Sequence, residues 1–353
     1  LQGVMCLVIL AFVMLPFLWI EAGGMAALRA LPKETWDFTG EGMTLTTIVA
    51  LNVSALVGGI AAPWLYNWIA ISKDEKTATQ CAWSHLWKRI VTLLFALYGI
   101  FFAILAPEIA DTELAGGEVM KIVLPAGIGV VGLMIASFFA AAMSSADTYA
   151  TTSSAMIVDY AYRKVLRPGL SLGHYLRVAR VWAVLSIVIA AVSTLYIEDI
   201  RDYVKTCLSL LSFLGVPIYF GVVWRRSNRM GMWISLVLAI TSYLIIRVLL
   251  TGDGRYFADS DAAFPASVFI PTLLALLGMW VGSLFGPPDD PQKLDRFYLI
   301  MNTPIGQEQR LVDAGIRLPA MIDAGLVKEG PEQLNQEVLS QLTSQNGKHK
   351  VLG

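Results

Sequence analysis

The densest run of side-chain oxygen in the chain sits inside an apolar segment. From Ala140 to Tyr162 the sequence reads AAAMSSADTYATTSSAMIVDYAY, with no Gly or Pro to interrupt a helix. At helical spacing Ala141, Ser144, Ser145, Thr148 and Thr152 share one face, and Ser144, Asp147, Thr148 and Thr151 form an overlapping stripe. A membrane helix that carries so much oxygen must turn it towards protein, water or an ion. The carbonyl of Ala141 lies beside the hydroxyls three and four residues on, and a hard cation takes several such oxygen ligands. Two readings of the serines stay open at this point. They line an ion site, or they bond back to carbonyls one turn earlier, as serines in helices do.

The elements that must position these residues are membrane helices. The chain has 353 residues, 56% of them hydrophobic and 15% charged, and a mean hydropathy of +0.63. Soluble domains carry about 25% charged residues. With repeated apolar runs near the length of a span, this composition predicts an all-α polytopic membrane protein. Eight spans are expected, at 3–20, 48–71, 90–106, 122–143 with a polar continuation to about 160, 178–197, 204–224, 230–250 and 264–286. The first residue is already apolar and no charged leader precedes it, so the expectation is a chain entered within a transmembrane helix rather than at a signal peptide.

Charge orders the loops. Those after the second, fourth and sixth spans, with their flanks, hold Lys73, Lys76, Lys88 and Arg89, then Arg163, Lys164, Arg167, Arg177 and Arg180, then Arg225, Arg226 and Arg229. The alternate loops are acidic, with Glu108, Asp111, Glu113 and Glu118 among their residues. The positive-inside rule then predicts that the basic loops and the C-terminal tail are cytoplasmic. Arg247, near the end of a span, is expected to snorkel to the surface. The predicted organisation is a transmembrane domain over 1–286 and a polar cytoplasmic tail over 287–353, with one or two short amphipathic helices between Arg310 and Val327.

Other chemistry is sparse. The net charge of −1 gives no footprint for nucleic acid. Cys6, Cys81 and Cys207 lie far apart and read as packing residues, and His85, His174 and His349 are scattered without metal spacing. The second span holds Asn52, Ser54, Gly58, Gly59 and Pro63, which reads as a broken helix of the kind transporters use at a central site, or as an ordinary kink. Trp64, Tyr66 and Trp68 follow as an interfacial belt. An intramembrane enzyme built on Asp147 would need a second acid, a His or a metal partner at membrane depth, and the sequence offers none.

Three stretches carry a resemblance. AAAMSSADTYATTSSAMIVDYAYRK resembles the signature helix of the sodium:solute symporter family; PWLYNWIAISKDEKTA and LSFLGVPIYFGVVWRRSNRMG resemble the ends of its sixth and tenth core helices. Leu1-Gln2-Gly3 is similar to its fifth core helix entered a few residues late. The resemblance implies the LeuT-like fold of two inverted five-helix repeats, here in part, from the fifth core helix onward. It implies a sodium-coupled secondary active symporter of a small organic solute or anion, with Na+ as the co-transported ion, no organic cofactor and no enzyme activity. The implied partners are the lipid bilayer, a small-molecule solute and N-terminal helices of the same protein; the implied location is the cell (inner) membrane. A symporter-like sensor domain without transport is the alternative.

Carried over residue by residue, half of the family's sodium site falls on Ala141, Ser144 and Ser145, the other half belonging to the first core helix. Asp147 and Thr148 align with positions that hold a second sodium in some members; there a carboxylate binds a cation more strongly, couples a proton, or stays a solvated charge. Asn52, Ser54, Gly58 and Gly59 would border the solute. Gly58-Gly59 stands where sugar carriers have an aromatic gate, Trp68 where the family often has a basic residue, and Val204 and Lys205 near the tenth-helix solute position. These departures leave the solute unnamed.

Overall fold

The computed structural model of the protein describes residues 8–37, 39–40, 43–70, 72, 75–109, 112–125, 127, 129–197, 200–251, 263–304, 306–318, 321 and 335. Leu1 to Gly3, Cys6, Lys73, Asp74, His349 and most of the tail beyond 321 lie outside that set. Among the described residues there is no β-strand, only a bridge between Gly40 and Met43. A π-helical turn, Ile9–Met14, leads into α1 (Leu15–Glu21), followed by α2 (Gly24–Ala30), α3 (Leu45–Gly59), α4 (Pro63–Ala70), α5 (Glu75–Leu105) and α6 (Ala115–Val123). Then come α7 (Val130–Met156), which runs on as a π-helix over Ile157–Leu166, α8 (Leu172–Ser193), α9 (Ile200–Val223), α10 (Arg229–Thr251), α11 (Ala263–Phe285), α12 (Pro291–Asn302) and α13 (Gln309–Asp313).

Five helices among the described residues are long and apolar enough to cross a membrane: α7 with its π-helical end, α8 with the turn that follows, α9, α10 and α11. The other three expected spans take different forms. The first is bent by 62° between 12–21 and 24–30, where Gly23 and Gly24 adopt φ of 88° and 61°, a region open to Gly at little cost. The second is two helices: α3 ends at Gly59, residues 60–62 form a turn, and Pro63 opens α4. The third lies in α5, where the apolar stretch is Phe95–Leu105. The fourth span starts at Val130 rather than 122. Pro125 interrupts the run, and Gly127 and Gly129 take φ of 89° and 80°; the preceding apolar residues belong to α6, which buries Val119 and Val123.

The chain divides into two compact units. The first comprises Leu1–Phe38, Tyr66–Ala70 and Thr79–Glu198. Its core joins Met14, Leu18, Leu28, Tyr98, Phe101, Val119, Val123 and Met134, all buried. Trp19 meets Phe101 edge-on at 5.9 Å between ring centroids. This core fixes the first half of α7 against α1, α5 and α6.

The second unit comprises Thr39–Leu65, Ile71–Ala78 and Asp199–Gly353, and α9 packs against α3, α10 and α11 within it. Small residues let the backbones close up, as they do where apolar lipid leaves no hydrophobic drive between helices. A Cβ at Gly278 would stand 2.9 Å from the Ser235 Cα, and one at Gly282 2.8 Å from the Gly231 Cα. Hydroxyl pairs join α9 to α11: Ser209 to Ser267 at 3.1 Å and Ser212 to Thr272 at 3.1 Å. Arg247, expected to reach the surface, is half-buried and bonded within the unit. Its Nε donates to the Tyr243 hydroxyl at 3.2 Å, its guanidinium also reaches the Thr206 hydroxyl, and it lies over the Tyr243 ring.

The tail is folded in its first part. Asp290 caps α12 by accepting from the Gln292 N–H at 3.0 Å, with Pro291 at the first helical position. Leu299, Leu311, Ala314, Ile316 and Met321 make a small core of their own. Of the expected amphipathic segment 310–327, the described part holds the end of α13 and a turn; 319–320 and 322–327 lie outside the described residues. The Tyr298 hydroxyl donates to the Gly221 carbonyl near the end of α9 at 2.9 Å. Arg225 pairs with Asp295 and lies over the Tyr298 ring. Burial raises the Tyr298 pKa, with the nearby Arg225 charge opposing, so the hydroxyl stays a proton donor at neutral pH. Asp295→Ala combined with Tyr298→Phe is expected to speed protease cleavage between α11 and α12 roughly tenfold, as one partly exposed ion pair and one hydrogen bond are lost. An unchanged cleavage rate would show that these contacts do not hold α12 in place.

Candidate functional site

Alpha-helical geometry sets the oxygen stripe of α7. Ser144 lies fourteen residues after Val130, roughly 21 Å along the helix at 1.5 Å per residue, a distance shorter than the thickness of about 30 Å of a hydrocarbon core. The face that carries it is closed at both ends. Ser137 is fully buried and Thr152 is 5% exposed, whereas Ala141, Ser144 and Thr148 between them are half-buried. Ser145 and Asp147 lie at the edge of that window and are exposed.

The hydroxyls form a ladder of local bonds. Ser144 Oγ donates to the Ala141 carbonyl at 2.8 Å and Thr148 Oγ1 to the Ser144 carbonyl at 3.0 Å. Thr151 Oγ1 donates to the Asp147 carbonyl at 2.7 Å, and Ser154 Oγ to the Thr151 carbonyl at 2.9 Å. This is the back-bonding expected of hydroxyls in any helix. It does not exhaust them. A hydroxyl that donates its proton keeps two lone pairs, so Ser144 Oγ and the Ala141 carbonyl oxygen, 2.8 Å apart, can face one cation once the hydroxyl proton turns away. Ser145 Oγ makes no hydrogen bond among the described residues, and the Asp147 carboxylate has no ion-pair partner there. Thr152 Oγ1 is buried without a partner; it was on the stripe in sequence, but only burial distinguishes it.

The α3 residues belong to the second unit. Asn52 is exposed and donates to the Ile48 carbonyl at 2.8 Å; Ser54 is buried and donates to the Leu51 carbonyl at 2.9 Å. Gly58 is in backbone contact with α9: a Cβ there would meet the Leu211 carbonyl carbon at 2.9 Å, whereas one at Gly59 would meet nothing within 4 Å. Lys205, which by resemblance stands near the tenth-helix solute position, is 7% exposed, 3.9 Å from Asp202 and 5.8 Å from the centroid of the Phe264 ring. No group of His, Cys, Asp or Glu with metal-binding geometry occurs among the described residues. The available ligands for a cation on α7 are therefore neutral oxygens, with one carboxylate beside them.

A sequence model of the sodium:solute symporter family matches residues 1–238, two thirds of the chain, and the protein belongs to that family. No solved structure matches the chain.

Proposed function

On the premise of that membership, we propose that this protein is a symporter in which sodium entry drives uptake of a small organic solute or anion by alternating access, on a LeuT-like inverted-repeat scaffold. The observation that carries the reading is the half-open stretch of α7, where the Ala141 carbonyl and Ser144 Oγ stand 2.8 Å apart and Ser145 Oγ is unbonded. Ala141, Ser144 and Ser145 bind sodium through neutral oxygens, which hold a hard cation loosely enough for release on each cycle. The family's first core helix supplies the remaining ligands. Asp147 and Thr148 bind a second cation. Asn52, Ser54, Gly58 and Gly59 of α3 contribute to the solute side. The basic loops support a cytoplasmic side for the tail and the polar end of α7.

Ser144→Ala and Ser145→Ala in the full-length protein are each expected to raise the sodium concentration for half-maximal uptake about tenfold, the effect of roughly 1.4 kcal/mol of lost ligation, while the protein remains folded. The readout is sodium-dependent uptake of a solute panel into proteoliposomes, alongside size-exclusion chromatography. Sodium dependence unchanged in both variants would sink the assignment. Asp147→Asn is expected to lower the Hill slope for sodium; a slope already at one in the wild type would leave a single ion and remove Asp147 from the site.

A further inference from the structure

The first unit carries a second surface with its own chemistry, away from the oxygen stripe. Between Asp159 and Arg180, where the π-helical end of α7 turns into α8, the chain holds Arg163, Lys164, Arg167, Arg177 and Arg180 against the single carboxylate of Asp159. All five cations are exposed. The one ion pair they make among the described residues is the loose 4.0 Å contact of Arg163 with Asp159.

The backbone beneath them is pinned. The Tyr175 hydroxyl donates to the Arg167 carbonyl at 2.7 Å and accepts from the Leu170 N–H at 3.0 Å, bridging the turn through Pro168 and Gly169. Tyr162 and His174 hydrogen bond at 3.0 Å with their rings stacked. Arg163 lies over the Tyr175 ring. The positions that bear the cations are therefore fixed while the charged ends stay in water.

Beside the cations runs an exposed apolar rim. Val165 is 74% exposed, Leu166 66% and Leu172 70%. The rim continues into α8, whose most apolar stretch has none of its residues buried. A water-soluble anion would use the cations and leave this rim unsatisfied. An amphipathic anion would use both, with its charged head on the guanidinium groups and its chains along α8. Basic residues next to a membrane helix attract anionic headgroups in this way.

We propose that the α7–α8 hairpin is a binding surface for anionic phospholipid, with the headgroup phosphate held by Arg163, Lys164, Arg167, Arg177 and Arg180 and the acyl chains lying against Leu166, Leu172 and α8. The surface is a fixed part of the protein and is independent of the transport reading.

The test is thermal unfolding of the detergent-solubilised full-length protein titrated with phosphatidylglycerol, with phosphatidylcholine, and with inorganic phosphate. Phosphatidylglycerol is expected to raise the unfolding midpoint and the other two are not. R163Q/K164Q/R167Q/R177Q/R180Q is expected to need at least about tenfold more phosphatidylglycerol for half the shift, and R163K/R167K/R177K/R180K to keep the wild-type response. Equal shifts from phosphatidylcholine, an unaltered response in the glutamine variant, or the same shift from inorganic phosphate would each overturn the proposal. Should the five-site variant fail to fold, native mass spectrometry of the wild type decides. Preferential retention of phosphatidylglycerol over phosphatidylcholine supports the surface, and equal retention overturns it.

Discussion

Gly215→Val is expected to abolish the folded protein, and Gly58→Val to do nearly the same. A Cβ at Gly215 would stand 2.8 Å from the Val57 carbonyl carbon, with the carbonyl oxygen nearer still, and 3.4 Å from the Gly58 nitrogen. A Cβ at Gly58 would stand 2.9 Å from the Leu211 carbonyl carbon. The obstructing atoms in both cases are largely backbone, so no rotamer change clears them. The helices α3 and α9 would have to separate, and Phe213 and Val216, buried in the same stretch of α9, would lose their neighbours. Overpacking of a core costs about 1–3 kcal/mol when side chains can yield; here they cannot, so the upper end or beyond is expected. The measurement is the monodisperse fraction in size-exclusion chromatography after solubilisation. Gly59→Ala is the control. A Cβ there meets nothing within 4 Å, and Ala in place of a helical Gly is stabilising by roughly 0.5–1 kcal/mol. Equal behaviour of Gly215→Val and Gly59→Ala would show that the close approach of α3 and α9 is not needed for folding.

The same contact separates what the sequence shows from what it does not. Two glycines and a proline within one apolar run mark where a helix can break, and α3 does end at Gly59. Nothing in the run tells that Gly58 faces a neighbouring backbone and Gly59 does not, because that depends on a helix about 150 residues away in sequence. The oxygen stripe is legible for a similar reason: helical spacing alone puts Ser144 beside the Ala141 carbonyl. Its closure at Ser137 and Thr152 is not, since burial there is decided by other elements of the unit.

Misplaced features have equally local causes. Ile122, Val123 and Leu124 are apolar enough to extend the fourth span, yet Val123 and Leu124 serve the core around Phe101, Ile122 is exposed, and the glycines at positive φ divide all three from α7. Arg247 at a helix end reads as a snorkelling side chain, but it finds Tyr243 on its own helix and Thr206 on another. The helix α12 had a visible start signal in Asp290 followed by Pro291; the polar composition of the tail obscured it. Asp202 is one of the acids of the alternate loops and their flanks, and its spacing of three from Lys205 on a helix is the sequence sign of a pair.

That pair gives the second large effect. Asp202 is 8% exposed and Lys205 7%, and their charged ends lie 3.9 Å apart beside the Phe264 ring. Arg201 Nε approaches the same carboxylate at 3.8 Å. Asp202 also lies in the first turn of α9, where a negative charge is favoured by the helix dipole. Asp202→Ala leaves the Lys205 ammonium buried without this carboxylate. Breaking a buried pair from one side costs about 3–5 kcal/mol; because the contact is long, about 3 kcal/mol is expected, a fall of roughly 5–10 °C in unfolding midpoint. Replacing both partners by apolar residues, Asp202→Leu with Lys205→Met, is expected to restore part of the loss, since neither side chain of the pair is then a buried charge. Lys205 therefore acts first as the counter-charge of Asp202. If Lys205→Met alone left the midpoint unchanged and weakened uptake of anionic solutes only, the lysine would belong to the solute instead of the pair.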